Sequence, residues 1–432
     1  MHGVEHGIRG ESSRSQPVHM LTTKSTASQP RDDALPASAP RDDDPRNFSI
    51  ILGGPLYQLL RSARMTDDAL HLVRRRIVAI CAIAWIPLLL LTLLAGDAFG
   101  GTAAVPFLKD IEVQVRFLVV MPLLIEAELL VHLRLRPVAH EFVARGLVGP
   151  DTHERFVAAL QAAARLRNSA IAEIVMILVV YVLGVPVIWR TFGALEVPTW
   201  YAHTSATGME PTLAGFWYAY ASLPLFQFLL LRWYFRIFVW MRFLWHVSRI
   251  RLHVNAMHAD RMGGIGFLAA TVFAFVPLAL AHGALVAGNL ANRIFYLGAA
   301  LADSAVEIAL VVGFLVVLVL GPVIVFAPQV AAAKRTALRI YGRLSQRYVT
   351  EFESKWLPGG VPAAESSLGS GDIQSLADIS NSMETVRSTR ILPITRESIL
   401  TVALAVLVPI APLLLTVVPA KDLAKQLLML VI

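Results

Sequence analysis

The segment HVNAMHADRMGGIGF, at positions 253–267, holds the densest group of side chains that could do chemistry. Glycines that open a helix expose backbone N–H groups, which favours anion binding, whereas histidine and aspartate are ligands for divalent metals. The segment lacks the Gly-Lys-Ser/Thr of a phosphate loop and the strand of a dinucleotide fingerprint, so a capped tight turn without a ligand is the competing interpretation. The candidate anion- or metal-binding residues are His253, His258, Asp260, Arg261, Gly263 and Gly264.

Further ionisable residues lie inside apolar segments, where a charge is costly and is usually paired or functional. Threaded through a bilayer, they fall into two layers. We expect an intramembrane polar cluster of Glu126, Glu128, Glu173, Gln227, Arg232 and Arg236, and an outer polar cluster of His282, Asp303 and Glu307. A structural ion-pair network, a proton or cation path, and contacts with headgroups or water are the three interpretations of these residues.

Catalytic chemistry has little support in the sequence. There is no His-Glu-x-x-His, no Gly-x-Ser-x-Gly and no Asp-rich metal motif. The single cysteine, Cys81, lies in an apolar segment and provides neither a disulfide framework nor a cysteine-based metal site. We therefore name no catalytic residue and expect no cofactor.

The composition is that of a membrane protein. The 432 residues are 56% hydrophobic and 16% charged, with a mean hydropathy of +0.60, whereas soluble domains carry roughly a quarter charged residues. The net charge is +7, and the basic residues flank the apolar segments. This placement favours anionic lipid headgroups over nucleic acid as the partner.

About seven segments approach the ~20 apolar residues that a membrane span requires. They predict an all-α, polytopic helix bundle with a small helical cytoplasmic layer. The second is the weakest because it contains two glutamates, and the seventh contains two prolines that predict a kink or a re-entrant path. The predicted spans are 77–94, 117–133, 170–189, 212–231, 265–288, 302–327 and 398–418.

Lysine and arginine are distributed unevenly between the two sides of these spans. Beyond the N-terminal tail, 26 lie on one side and six on the other. The positive-inside rule places the richer side, and with it the N-terminus, in the cytoplasm. The 26 lie in segments 60–76, 134–168, 232–263 and 329–396.

The arginine-bearing stretch LLRWYFRIFVWMRFLW, at positions 230–245, follows the predicted end of the fourth span. We expect its arginines to reach the phosphates of the inner interface, while one or two of them neutralise glutamates in the bundle. Their spacings of four, six and seven residues, from Arg232 to Arg249, do not fit a voltage sensor.

The predicted organisation has four parts. Residues 1–48 are polar and form a disordered tail, and residues 49–328 hold spans one to six with helical cytoplasmic extensions. Residues 329–390 contain cytoplasmic amphipathic helices and a linker, since apolar residues recur there at intervals of three and four. Residues 391–432 hold the seventh span and a C-terminal helix.

Several segments resemble a family of uncharacterised bacterial multi-pass inner-membrane proteins. They are FQFLLLRWYFRIFVWMRFLWHVSRI with HADRMGGIGFL, DIEVQVRFLVVMPLLIEAE, YGRLSQRYVTEFESKWL and DIQSLADISNSMETVRSTR. The family pattern has a proline where this chain has Ala259. The resemblance covers most of the chain from about residue 50 and implies the inner membrane of a proteobacterium-like cell, but it implies no activity.

Three classes of function remain. The first is a channel or transporter in which acidic intramembrane residues line the path. The second is a membrane-anchored binding or signalling module that uses its cytoplasmic helices, and the third is an enzyme acting on a lipid-linked phosphate. We expect the lipid bilayer, through anionic headgroups, as a partner, and a homo-oligomer is compatible with the sequence. Transport ranks first.

Overall fold

The fold is nearly all-α. It is 79% helical, with one antiparallel hairpin formed by β1 (Ala202–Ser205) and β2 (Gly208–Pro211). Most of the predicted tail, the linker after residue 357 and the C-terminal helix lie outside the described residues. The computed structural model describes residues 45, 48–62, 72–101, 103–187, 199–205, 208–357 and 371–416.

The helices are numbered in chain order. The α-helices are α1 (Pro55–Ser62), α2 (Val73–Ala95), α3 (Ile111–Val115), α4 (Met121–Ala144), α5 (His153–Arg167), α6 (Ala170–Val179), α7 (Leu213–Trp217), α8 (Leu223–Ser248), α9 (Val276–Leu297), α10 (Ala305–Ile324), α11 (Ala327–Trp356), α12 (Gly371–Ser388) and α13 (Arg396–Leu407). The π-helical segments are Arg116–Val120, Val180–Gly184 and Tyr218–Ser222, and the 3-10 segments are Phe107–Lys109, Gly266–Phe275, Leu301–Ser304 and Ala411–Thr416.

Within the described ranges, five helical stretches are long and apolar enough to cross a membrane, so the prediction of a membrane protein is confirmed at this level. Their exposed surfaces are rich in Leu, Val, Ile and Phe, as lipid contact requires. They correspond to predicted spans one, three, four, five and six. The five are Val73–Ala95, Ala170–Val187, Leu213–Ser248, Gly266–Leu297 and Leu301–Ile324.

The other two predicted spans are not among these five. The second coincides with the start of α4, which carries charged residues and buries a large share of its side chains inside the bundle against α2, α8 and α9. The seventh coincides with α13, whose 12 residues extend about 18 Å at 1.5 Å per residue. That length is short of the ~30 Å hydrocarbon core, and a turn and a 3-10 segment follow it.

The bundle has two distinct ends. The hairpin end carries the loop 96–110, the β1–β2 hairpin and the turn 298–300. The basic end carries α5, the loop 249–265, α11 and α12. Because α8, α9 and α10 follow one another through short connections, they run alternately between the two ends.

At the basic end, side chains fasten the loop 249–265 to the later part of the chain. The Gln329 amide donates to the Ser248 and Ile250 carbonyls, and its oxygen accepts from the Leu252 N–H at 3.3 Å. The Thr389 hydroxyl donates to the Ala256 carbonyl at 2.8 Å. These bonds join segments more than 75 residues apart, so this end is an ordered part of the fold.

Close packing between α9 and α13 depends on Gly283. A Cβ at that position would lie 2.2 Å from the Val406 carbonyl oxygen, whereas one at Gly313 in α10 would meet no atom within 4 Å. We expect Gly283→Ala to lower the free energy of unfolding by about 1–3 kcal/mol through overpacking. Gly313→Ala is the matched control and should be neutral or stabilising by up to about 1 kcal/mol. Denaturant unfolding in detergent micelles measures both, and equal effects would contradict the packing argument.

Candidate functional site

The first candidate site is a buried group of charges, the arginine cluster, formed by Arg76, Glu128, Glu173, Arg232 and Arg236. Glu128 on α4 is 4% exposed. One carboxylate oxygen binds the Arg76 guanidinium of α2. The other accepts from Arg236 at 2.6 Å and lies 3.6 Å from Arg232, both on α8. One carboxylate therefore joins three helices.

Glu173 extends the cluster to α6. Its carboxylate lies 3.9 Å from the Arg232 guanidinium, and the Arg236 guanidinium lies 5.1 Å from the Trp233 ring centroid. Three arginines face two glutamates, which leaves one excess positive charge. Such a group in a low-dielectric core is stable only when every charge has a partner.

The structure brings Glu128, Glu173, Arg232 and Arg236 together but leaves two predicted members outside. Glu126 is exposed on another face of α4, because residues two apart on a helix do not share a face. Gln227 lies in a separate cleft. The cluster also contains Arg76, which sequence reasoning assigned to a flank. In the sequence, the only feature that points to Arg76 is its position next to the first apolar residues of a span.

Of the two roles expected for the arginines of this stretch, Arg232 and Arg236 have the second: their side chains are 6% and 4% exposed and lie against glutamates of the bundle, not at the headgroup phosphates. The helix α8 continues without a break to Ser248, and its buried face turns both guanidinium groups toward α4. Arg242, farther along α8, and Arg249, directly after its end, are exposed.

His282 does not contact Asp303 or Glu307, so the prediction that it belongs to the outer polar cluster is wrong. Its Nε2 lies 2.8 Å from the Tyr234 hydroxyl, between the two cluster arginines on α8, and its Nδ1 lies 2.7 Å from the Leu278 carbonyl. The physical reason is helix length: α9 continues past residue 288 to Leu297, which puts His282 near the middle of its span.

Asp303 and Glu307 both lie at the hairpin end, but their carboxylates bind different partners. The Asp303 carboxylate accepts from the Ala300 N–H at 3.2 Å and caps a 3-10 turn. The Glu307 carboxylate accepts from Arg293 at 2.8 Å, and both side chains are exposed to a large extent. Glu307 also lines a cleft that opens beside it.

This hairpin-end cleft is the second candidate site. It has a volume of about 620 Å³ and lies among α3, α8, α9 and α10. One part of its lining is apolar and aromatic, and the other is charged or carries amides. Its polar and aromatic lining residues are Asp110, Glu112, Arg116, Tyr201, Tyr218, Phe226, Gln227, Asn289, Asn292 and Glu307.

Hydrogen bonds order the mouth of the cleft. Asp110 caps α3 by accepting from the Val113 N–H, and it also accepts from Trp200 at 2.9 Å and Asn292 at 2.8 Å. Burial, with the Asp110 carboxylate nearby, raises the pKa of Tyr201 to about 12, so its hydroxyl stays protonated at neutral pH. Sequence reasoning did not select Asp110 as a site residue.

One wall of the cleft combines both signs of charge. Glu112 forms an ion pair with Arg116 and accepts from the Asn289 amide at 3.2 Å. Arg116 also donates to the Tyr218 hydroxyl. Of the buried polar atoms without a hydrogen-bond partner among the described residues, two belong to the lining of the cleft: Arg116 Nε and Gln227 Oε1. Each retains capacity for one more hydrogen bond.

π-Helical segments occur on three helices near this cleft. Arg116–Val120 and Tyr218–Ser222 each begin with a residue that lines it, and Val180–Gly184 ends three residues before the lining residue Val187. π-Helical turns are rare and frequently mark functional sites. Gly184 also allows the approach of Gln227, since a Cβ there would lie 2.4 Å from Gln227 Oε1.

The glycine turn at 253–267 proves to be occupied by the chain itself. The Asp260 carboxylate accepts from the N–H groups of Met262, Gly264 and Gly266 at 2.8–3.1 Å. Gly263 and Gly264 have φ of 74° and 93°, which favour glycine. Of the interpretations offered for this segment, the structure therefore agrees with the capped tight turn, because an internal carboxylate accepts from these amides.

The predicted metal ligands in this turn do not converge. His258 Nδ1 lies 3.0 Å from Asp260 Oδ1, but the His253 side chain is exposed and packs against Gly149 instead. Arg261 is also exposed, with φ of 53°. Among the described residues, no group of three histidine, cysteine or acidic side chains is arranged to hold a metal ion.

Comparison of the chain with protein-family models, curated proteins and solved structures finds no match. The resemblance to uncharacterised bacterial inner-membrane proteins therefore stays a prediction.

The Glu128 carboxylate should be essential for folding. We expect Glu128→Gln to lower the free energy of unfolding by about 3–5 kcal/mol, because it leaves buried guanidinium groups without their main partner. Glu126→Gln, two residues away and exposed, should change it by less than about 0.5 kcal/mol. Thermal unfolding in detergent micelles compares the two variants, and equal stabilities would show that the cluster is not the constraint that its geometry indicates.

The Asp260 turn should open in acid. Burial raises the pKa of this carboxyl, but the N–H groups of Met262, Gly266 and Gly264 outweigh that effect and lower the pKa below its ordinary value. The stabilisation is therefore present above the pKa of the unfolded chain and is lost as the pH falls through the folded-state pKa.

Hydrogen exchange of the Gly264 and Gly266 amides measures this opening. In the wild-type protein, the protection of these amides, corrected for the intrinsic exchange rate, should decrease when the pH is lowered below about 4. In Asp260→Asn it should be low at every pH. His258→Gln, which keeps the carboxylate, is the control and should retain the acid transition. Protection that persists in Asp260→Asn at neutral pH would contradict this interpretation.

Proposed function

We propose that the protein is a membrane transporter that works by alternating access. In the conformation described above, the hairpin-end cleft is the open cavity that receives a small polar solute. The arginine cluster is the closed gate at the other end. The observation that carries the proposal is the position of both features on the same helix, α8.

The depth of the cleft supports this arrangement. On α8 the lining runs from Leu223 to Leu230, and on α9 from Asn292 to Leu285, which is about 10 Å along each helix. Arg232, a member of the arginine cluster, follows Leu230 by two residues. The floor of the cleft and the buried ion pairs are thus stacked along α8, and α4 contributes Glu128 to the gate.

The chemistry of the two sites fits their proposed roles. A solute that enters the cleft meets amides, tyrosine hydroxyls and carboxylates beside apolar walls, as in other small-molecule sites. The gate consists of ion pairs, which switch between partners in discrete steps. The π-helical segments on three surrounding helices supply places where helices change shape at low cost.

Orientation follows from charge. The basic end carries most of the lysines and arginines that flank the spans, so we place it in the cytoplasm and the cleft on the outer side of a bacterial inner membrane. The lining contains three carboxylates, Asp110, Glu112 and Glu307, and one guanidinium, Arg116, so its net negative charge favours cations or zwitterions from outside. The N-terminal tail lies on the cytoplasmic side in this arrangement.

Sided thiol labelling tests the proposal. In a Cys81→Ser background, Val286→Cys places a thiol in the cleft and Met176→Cys places one beside the arginine cluster. With right-side-out and inverted membrane vesicles, a membrane-impermeant reagent should modify position 286 from the outer side only. Position 176 should be protected from both sides. Adding Arg236→Gln, which weakens the gate, should let the reagent reach position 286 from the cytoplasmic side.

Each other outcome points to a different class of protein. Modification of position 286 from both sides without the gate variant would indicate an open channel. Protection of position 286 from both sides would indicate a packed bundle, which argues against transport and favours a binding module at the basic end. Circular dichroism and gel filtration check that the variants are folded.

A further inference from the structure

A second cavity lies at the basic end, between the loop after α8 and the first half of α11. This basic groove has a volume of about 870 Å³. Arg249 and Arg251 line it from the loop, and Ala333, Thr336, Ala337 and Ile340 line it from α11. It therefore combines an apolar floor with guanidinium groups at its rim.

The α11 side adds more positive charge. Arg335, Arg339 and Arg343 are four residues apart and form a stripe along α11 that is turned by about 100° from Thr336 and Ile340, so they lie beside the groove and not in its lining. All three are exposed, and none of their side chains forms an ion pair or hydrogen bond with another described residue. Lys334 is engaged differently, since its amine donates to the Arg387 and Thr389 carbonyls.

The groove lies next to the ends of two candidate spans. Its loop wall begins at Arg249, the first residue after the span that ends at Ser248, and α11 begins three residues after the span that ends at Ile324. Trp245, at the end of the first of these spans, is 48% exposed, and the Arg249 guanidinium lies 4.4 Å from its ring centroid. An exposed tryptophan with arginines is typical of the headgroup level of a bilayer.

The two walls are also held in place before any ligand binds. Gln329 of α11 forms hydrogen bonds with the backbone of Ser248, Ile250 and Leu252. A ligand therefore binds without ordering the loop first, which lowers the entropic cost of binding.

We propose that the basic groove binds an anionic phospholipid, with its headgroup phosphate at Arg249 and Arg251 and with the arginines beside the groove on α11 adding to the attraction. Guanidinium groups match the planar, bidentate geometry of phosphate oxygens. The glycerol and the upper acyl chains lie on the alanine and isoleucine floor. The site recognises a resident lipid of the cytoplasmic leaflet and is separate from the cleft proposed to bind solute.

Hydrogen exchange in lipid nanodiscs tests this site. The purified full chain is placed in phosphatidylcholine discs with increasing fractions of phosphatidylglycerol, and exchange is followed in peptides covering residues 249–256 and 329–341. Protection of both peptides should rise and saturate with phosphatidylglycerol. In Arg249→Gln/Arg251→Gln, the fraction that gives half-maximal protection should increase by roughly tenfold or more, since each arginine near an anionic surface contributes to binding.

Arg74→Gln/Arg75→Gln is the matched control. It removes the same charge from two exposed arginines at the start of α2, at the same end of the bundle, and it should leave the midpoint unchanged. An absence of any response to phosphatidylglycerol, or equal shifts in the two double variants, would overturn the proposal. Inorganic phosphate added to pure phosphatidylcholine discs distinguishes a lipid headgroup from a free phosphate ion as the ligand. Protection by phosphate alone would assign the groove to a soluble anion and overturn the lipid assignment.

Discussion

The buried carboxylate of Glu128 is the constraint on which the middle of the bundle depends. It binds one arginine of α2 and two of α8, and each of these guanidinium groups would be costly in the core without it. The rotation of α2, α4 and α8 about their axes is therefore coupled. Apolar packing alone specifies that rotation only weakly. Lipid tails are as apolar as the side chains, so the hydrophobic effect does not drive helices together in a bilayer.

The bundle has two halves that differ in how closely their helices pack. Toward the basic end, ion pairs and aromatic side chains such as Trp233, Trp240 and Phe243 fill the space between helices. Toward the hairpin end, the helices separate around a cleft, and π-helical segments replace regular turns. A closed half and an open half on the same helices give the proposed transport mechanism its physical basis.

The basic end shows how the chain satisfies its own polar groups outside the spans. Asp260 accepts from the amides of a glycine turn, and Gln329 forms hydrogen bonds with three residues of the preceding loop. Arg335, Arg339 and Arg343 of α11 have no side-chain partner among the described residues, so their charge adds to the attraction of the anionic lipid that we propose for the basic groove.

The sequence by itself determined the class of protein and most of its spans, because hydropathy and segment length depend only on local composition. It also identified Glu128, Arg232 and Arg236, since a charge within an apolar segment is conspicuous in one dimension. Tertiary structure alone decided that Arg76 joins them, that His282 pairs with Tyr234, and that Gln227 lies in a cleft. For Gln227 the reason is rotational: the π-helical turn Tyr218–Ser222 precedes it, inserts a residue and turns every later side chain to a new direction, which a hydropathy pattern does not reveal. For His282 the reason is the length of α9, and for Arg76 it is a contact with Glu128, 52 residues away in the sequence.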